Sequence, residues 1–149
     1  MRLRLSVQRA SRVRGLPGDA SIEVWARAAL AGAGPGSAEV TVRLVDGAEG
    51  ARLNARYRGK RGATNVLSFG YGPPPGQRGL CGDLVICVPV VRREAVEQAK
   101  APRSHWAHMV VHGIMHLRGF DHIHEDDAEI MEALEIRALK RLGFPNPYR

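Results

Sequence analysis

His112-Gly113-Ile114-Met115-His116-Leu117-Arg118-Gly119-Phe120-Asp121-His122 holds three histidines at spacings of four and then six residues. Residues four apart on a helix lie just over one turn apart, so the imidazoles of His112 and His116 share one face. Gly119 can take a left-handed conformation, end that helix and swing the chain back. The return lets His122 meet the first pair from the side. Three neutral imidazoles converging on a point make a zinc-type site with one position open. An open position admits water or substrate, which points to catalysis more than to structural support. Zinc is the expected ion, although all-nitrogen sites also accept other late first-row metals.

Two histidines four apart are more often a packed or solvated pair than ligands. The third histidine, with a glycine midway, separates this run from that background. Its spacing matches the metzincin peptidase pattern H-E-x-x-H-x-x-G-x-x-H. Gly113, however, stands where the peptidase carries the glutamate that takes a proton from metal-bound water. The cage is peptidase-like and the peptidase base is absent, so a different substrate is implied, or a base from elsewhere in the chain.

At 149 residues the chain reads as a single domain, 1–149, long enough for one sizeable core. No apolar run approaches the length of a membrane span, and no membrane partner is expected. The amino terminus alternates Arg2-Leu3-Arg4-Leu5-Ser6-Val7 and lacks an apolar signal core, so a cytoplasmic protein is expected. Cys81 and Cys87 fit no zinc-knuckle or redox spacing and read as small hydrophobes in a strand. The net charge is +7, and only Lys60, Lys100 and Lys140 among the 22 cations are not arginine. Such an excess favours polyanionic partners, and arginine suits bidentate phosphate contacts.

Residues 3–7 alternate like an edge strand. Asp19 and Ser21 offer caps for a helix through Trp25 and Leu30. Residues 39–45 alternate as a second strand. A short helix then places Leu53 inward and leads to Tyr57-Arg58-Gly59-Lys60. Residues 65–69 read as a compact strand, 70–79 as a glycine- and proline-rich loop, and 83–88 as a central strand covered on both faces. A helix over 92–100 precedes the histidine helix, which Ser104 can cap. The last helix opens on Glu125-Asp126-Asp127 and closes on Lys140-Arg141, an order that suits the helix dipole. Met131, Leu134, Ile136, Leu139 and Leu142 form its apolar stripe. Strands and helices mix without strict alternation. The expected architecture is α+β, a small mixed β-sheet covered by helices.

Several blocks together resemble the YbeY family of bacterial metal-dependent endoribonucleases. They are Leu53-Asn54 with Tyr57-Arg58-Gly59-Lys60, Thr64-Asn65-Val66-Leu67-Ser68-Phe69, Gly82-Asp83-Leu84-Val85-Ile86-Cys87, the histidine run, Met131-Glu132, and Leu142-Gly143 before Pro147-Tyr148. The resemblance runs from about residue 53 to the carboxyl terminus; residues 1–50 contribute little. It implies a metallopeptidase (zincin)-like core, a zinc-type ion on His112, His116 and His122, and a functional arginine at Arg58. It also implies action on single-stranded RNA, maturation of the 3′ end of 16S ribosomal RNA with the small ribosomal subunit as partner, and a part in ribosome quality control. Arg61, Gly70 and Arg118 depart from the pattern, replacing an acidic residue, a proline and an aliphatic residue; none removes a ligand. Arg118 is expected to add charge near the site.

The supporting cast has two readings each. His108, one turn before His112, can orient a ligand or simply pack. Asp121 can hydrogen-bond a ligand histidine or cap its turn. Asn65, Ser68 and Lys60 can bond backbone around the site or touch RNA. Asp83 reads as the holder of a glycine turn, and His105 and His124 as surface residues. For phosphodiester cleavage, either water or the RNA 2′-hydroxyl can be the nucleophile, and only the second leaves a 2′,3′-cyclic phosphate. The rival readings are a metallopeptidase-like hydrolase and a non-catalytic ribosome-binding module with a structural metal.

Overall fold

The computed structural model describes residues 1–121 and 125–149. Its elements run β1 (Arg2–Arg9), α1 (Asp19–Leu30), β2 (Ser37–Val45), α2 (Gly47–Arg58), β3 (Val66–Gly72), β4 (Gly79–Cys87), α3 (Val88–Glu97), α4 (Pro102–Leu117) and α5 (Glu125–Arg141). The four strands form one sheet in the order β1-β2-β4-β3. β1, β2 and β4 are mutually parallel, and β3 runs antiparallel along the β4 edge. The expected α+β class with a mixed sheet is what forms.

Alternation along the strands divides the side chains between two cores. Val40, Val42, Leu44, Leu84 and Ile86 face α1, α4 and α5 and build the larger one with Ile22, Trp25, Trp106, Val110, Ile114 and Met131. Val45, Leu67, Val85 and Cys87 face the other way and pack with Val90, Leu53 and Phe69. Cys81 and Cys87 are both free thiols on β4, and burial pushes the Cys87 thiol up. No helix among the described residues is long and apolar enough to cross a membrane.

Helix α4 lies unusually close to the sheet. A Cβ on Gly113 would sit 2.7 and 2.9 Å from the methyls of Leu84, which is fully buried on β4. A Cβ on Gly82 would overlap the Leu117 methyls and come within 2.9 Å of the Phe69 carbonyl oxygen. A side chain at position 113, the glutamate of the peptidase pattern included, would therefore require Leu84 or the helix to shift.

Several boundaries differ from the sequence expectation. The loop expected over 70–79 shrinks, because β3 continues to Gly72 and β4 begins at Gly79, with a register shift at Gly70/Gly72. Gly70 and Gly82 belong to the strands, where Leu117 crosses them. α3 begins at Val88, not at 92, with Pro89 in its first turn. The apolar run simply continues from strand into helix, so hydropathy could not divide it. Asp19 and Ser104 are not caps: α1 is preceded by Gly18 and α4 by Ala101. Asp19 instead pairs with Arg9 at 2.7 Å. Asp83 lies mid-strand and accepts the Tyr71 hydroxyl at 2.7 Å, which pushes the phenol up to about 12. Gly119, at φ 99, ends the histidine helix as expected.

Arg118 turns away from the histidines. Its Nη1 donates to the Ala29 carbonyl at the end of α1 at 2.9 Å, and its guanidinium lies 5.4 Å from the Phe120 ring centre. Burial there lowers its pKa. The charge thus ties α1 to the turn after α4 and adds nothing to the histidine face.

Two outcomes follow for stability. Gly82→Ala should destabilise by about 1–3 kcal/mol through overpacking, read as a lower denaturation midpoint; an unchanged midpoint would show that α4 can lift without cost. Arg118→Ala should cost about 1–3 kcal/mol by orphaning a helix carbonyl from a charged donor; a change within the error of chemical denaturation would remove that tie from the account.

Candidate metal centre and cleft

Helix α4 carries His105, His108, His112 and His116 at spacings of three, four and four, which is one stripe along the helix. Successive rings meet edge to face, with centroids 6.1, 6.0 and 4.7 Å apart. Two carboxylates from neighbouring helices face this stripe. Glu94 of α3 accepts His105 Nε2 at 3.0 Å and Asn65 Nδ2 at 3.1 Å. Glu135 of α5 accepts His112 Nδ1 at 2.6 Å on Oε1 and His108 Nε2 at 3.0 Å on Oε2. The Tyr148 hydroxyl also donates to Oε2.

Glu135 is completely enclosed. Burial pushes its carboxyl up, but the hydrogen bonds from His108, His112 and Tyr148 outweigh this and hold it at about 2. His108 moves the other way: burial lowers its pKa against the opposing pull of Glu135. An ionised carboxylate can only accept, so the proton of neutral His112 resides on Nδ1. Its Nε2 is then unprotonated and can accept, and it lies 3.2 Å from Nε2 of His116. Two nitrogens that each sit about 2.0–2.1 Å from a tetrahedral zinc ion are separated by roughly 3.3 Å. The pair therefore fits one edge of such a site.

His108, His112 and Glu135 also place one ligand atom each within 4.8 Å of one another, a group that could hold an ion. The two alternatives overlap at His112 and use opposite sides of its ring. On the Glu135 side the close atoms are already joined by N–H to carboxylate hydrogen bonds, which account for their convergence. On the Nε2 side, the unprotonated nitrogen of His112 faces His116. His122 and His124 lie outside the described residues.

His116 also lines a cleft of about 700 Å³ between α4, β3 and the end of α2, together with Arg58, Lys60, Arg61, Ser68 and Asp121. Gly59, at φ 65, caps α2 with its N–H bonded to the Ala55 carbonyl, and buried Asn54 holds the following loop through the Gly62 carbonyl at 2.8 Å. Those bonds turn Lys60 and Arg61 over the cleft. Arg58 Nη2 donates to the Ser68 carbonyl of edge strand β3 at 2.9 Å, and the guanidinium lies 5.9 Å from the Phe69 ring. One of its five N–H groups is used there, and the charge remains on the cleft wall. Ser68 Oγ donates at 3.4 Å to the Gly113 carbonyl, bracing β3 against α4.

The structure thus brings Arg58, Lys60, Asp121 and His116 to one cleft and pairs His116 with His112. Asn65 lies elsewhere: its Oδ1 accepts the Val66 N–H at 2.7 Å, its amide bonds Glu94, and it lines a second cavity of about 290 Å³ with His105, His108, His112 and Tyr148. His108 lies behind His112, against Glu135. His105, expected at the surface, is 2 % exposed, because it continues the same stripe toward α3. Sequence reasoning passed over Glu135 and Tyr148. Glu135 had a signal: it falls four residues after Met131 and three before Ala138, on the buried face of α5, where an acid needs partners. Tyr148 had none, because its contact depends on how the tail folds back.

A family profile described as Endoribonuclease YbeY matches residues 19–143. Among curated proteins, the Endoribonuclease YbeY of Methylococcus capsulatus is 56 % identical over 146 residues, spanning 97 % of this chain and 95 % of that one. The Endoribonuclease YbeY of Aromatoleum aromaticum is 57 % identical over 151 residues, spanning 99 % and 93 %. The solution structure of a Thermotoga maritima protein superposes with a TM-score of 0.57 at 21 % identity, covering 92 % of this chain and 91 % of that one, a likeness of fold. Matched along nearly its whole length by relatives more than half identical, and by the profile over its histidine helix and both cleft walls, the chain belongs to the YbeY family.

Proposed function

We propose that this chain is a single-strand-specific, metal-dependent endoribonuclease that acts in the cytoplasm on 16S ribosomal RNA of the small subunit, in 3′-end maturation and in ribosome quality control. The endoribonuclease names of its relatives supply the substrate class. The observation that carries the chemistry is the 3.2 Å Nε2 pair of His112 and His116, with His116 on the wall of a cleft that also holds Arg58, Lys60 and Arg61. We assign His112, His116 and His122 as ligands and zinc as the ion, since three imidazoles suit it.

Those nitrogens would hold a divalent ion, which would supply Lewis-acid stabilisation of phosphate charge and a more acidic water. Glu135 keeps the His112 proton on Nδ1 and so keeps Nε2 available. Arg58, anchored by one N–H on the Ser68 carbonyl, presents a planar cation to the non-bridging oxygens as charge develops on them. Lys60 and Arg61 draw the RNA backbone into the cleft by charge and carry no base preference. Asp121 and Leu117 close the helix side. Gly113 offers no base, in keeping with a reaction unlike peptide hydrolysis.

His116→Ala, or chelation of the wild type, should abolish cleavage of a single-stranded 16S 3′ fragment while the fold persists by circular dichroism. Arg58→Ala should lose about 100- to 1,000-fold in rate and still bind zinc, with Arg58→Lys rescuing poorly because the fork geometry is lost. Equal cleavage by wild type and His116→Ala would expose a contaminating nuclease and hand the case to a ribosome-binding module. Chelator-sensitive peptide cleavage that survives Arg58→Ala would favour a peptidase. End groups on the cut RNA name the nucleophile: a 2′,3′-cyclic phosphate indicates the 2′-hydroxyl, its absence water.

A further inference from the structure

We infer that Tyr148 is a positioning residue of the metal site: its hydroxyl steadies the Glu135 carboxylate that aims His112 Nε2 at His116. Glu135 reaches its partners through a flexible side chain, and one bond to Oε1 would leave the carboxylate free to pivot about it. The second oxygen removes that freedom. Oε2 receives His108 Nε2 from α4 at 3.0 Å and the Tyr148 hydroxyl from the tail. His108 Nε2 and the Tyr148 oxygen are 3.4 Å apart, so both donors converge on the same oxygen.

The tail is built to hold that hydroxyl. Lys100 Nζ donates to the Pro147 carbonyl at 2.7 Å, and the Tyr148 N–H donates to Asn146 Oδ1 at 2.8 Å. The Tyr148 ring meets His108 edge to face at 5.4 Å. Upstream, Phe144 packs edge-on to Trp25, 6.2 Å between centroids, which anchors the segment to α1. Tyr148 nevertheless remains 42 % exposed. A residue kept for core packing would bury its ring; here the polar end is driven inward to a carboxylate that has no access to solvent. Partners that orient a histidine ligand from behind typically change metal affinity 10- to 100-fold when removed.

The inference rests on the reading of His112 and His116 as ligands, and the experiment separates the two. Zn²⁺ is titrated into the metal-free full chain in competition with a chromophoric chelator, for wild type, Tyr148→Phe, Tyr148→Ala, Glu135→Gln and His116→Ala. Co²⁺ absorption reports the geometry of the site. Tyr148→Phe keeps the ring and loses only the hydroxyl. It should weaken Zn²⁺ binding about tenfold and shift the Co²⁺ spectrum, while the metal-free protein stays folded by circular dichroism. Tyr148→Ala should do no more than Tyr148→Phe, and Glu135→Gln should do at least as much as either. If Tyr148→Phe binds Zn²⁺ like wild type while Tyr148→Ala does not, the ring is a cover and the inference fails. If both bind like wild type, it fails outright. If wild type and His116→Ala bind Zn²⁺ equally weakly, the ligand assignment fails first and takes this inference with it.

Discussion

Helix α4 rests on the sheet at a distance that a side chain at Gly113 or Gly82 would forbid, and the placement of the site depends on that approach. Gly113 sits over Leu84 and Leu117 sits over Gly82, and these two close approaches mark the helix face that meets the sheet. Its histidine stripe is therefore aimed toward α3, α5 and the cleft. The Ser68 hydroxyl on the Gly113 carbonyl adds a polar tie at the same place. One packing constraint thus orients four imidazoles, and it also removes the position from which a peptidase draws its base. The lost glutamate and the close helix are the same fact seen from chemistry and from packing.

From that placement the polar layer behind the helix follows. Imidazoles turned inward need acceptors, and Glu94 and Glu135 supply them to His105, His108 and His112 from α3 and α5. Burying a carboxylate is costly unless several donors meet it, and Glu135 receives His108, His112 and Tyr148. The arrangement does electronic work as well as structural work. An ionised acceptor sets the tautomer of His112, and that tautomer leaves the nitrogen facing His116 without a proton. Metal-binding capacity on the cleft side is thereby linked to hydrogen bonding on the far side, with the tail included.

The opposite wall is organised by the end of α2. A left-handed Gly59 and the buried amide of Asn54 turn the chain so that Arg58, Lys60 and Arg61 share one edge. Strand β3, antiparallel at the sheet margin, completes the cleft, and its carbonyl at Ser68 anchors Arg58. Arg118, which the histidine run seemed to place beside the site, spends its charge on the end of α1. Proximity in sequence to the histidines did not carry it to their face, because residues two apart on a helix point in different directions.

Local information in the chain reached far. The histidine spacing, the left-handed glycine at 119, the alternation of the strands and the charge order of α5 all act within a turn or a few residues, so hydropathy and spacing express them. The combined blocks identified the family for the same reason, since each is a contiguous run. What the sequence alone could not express were relations set by packing between distant segments. These include the burial of His105, the capture of Asn65 by Glu94, the inward turn of Arg118, the strand character of Gly70 and Gly82, and the meeting of Glu135 with Tyr148 behind His112. A hydrogen bond between residues 11 or more apart leaves no periodic trace; it exists only once the helices have been pressed together on the sheet. The sequence by itself determined which side chains could serve a metal site. The tertiary structure decided which nitrogen of His112 faces His116, because that depends on what stands behind the ring.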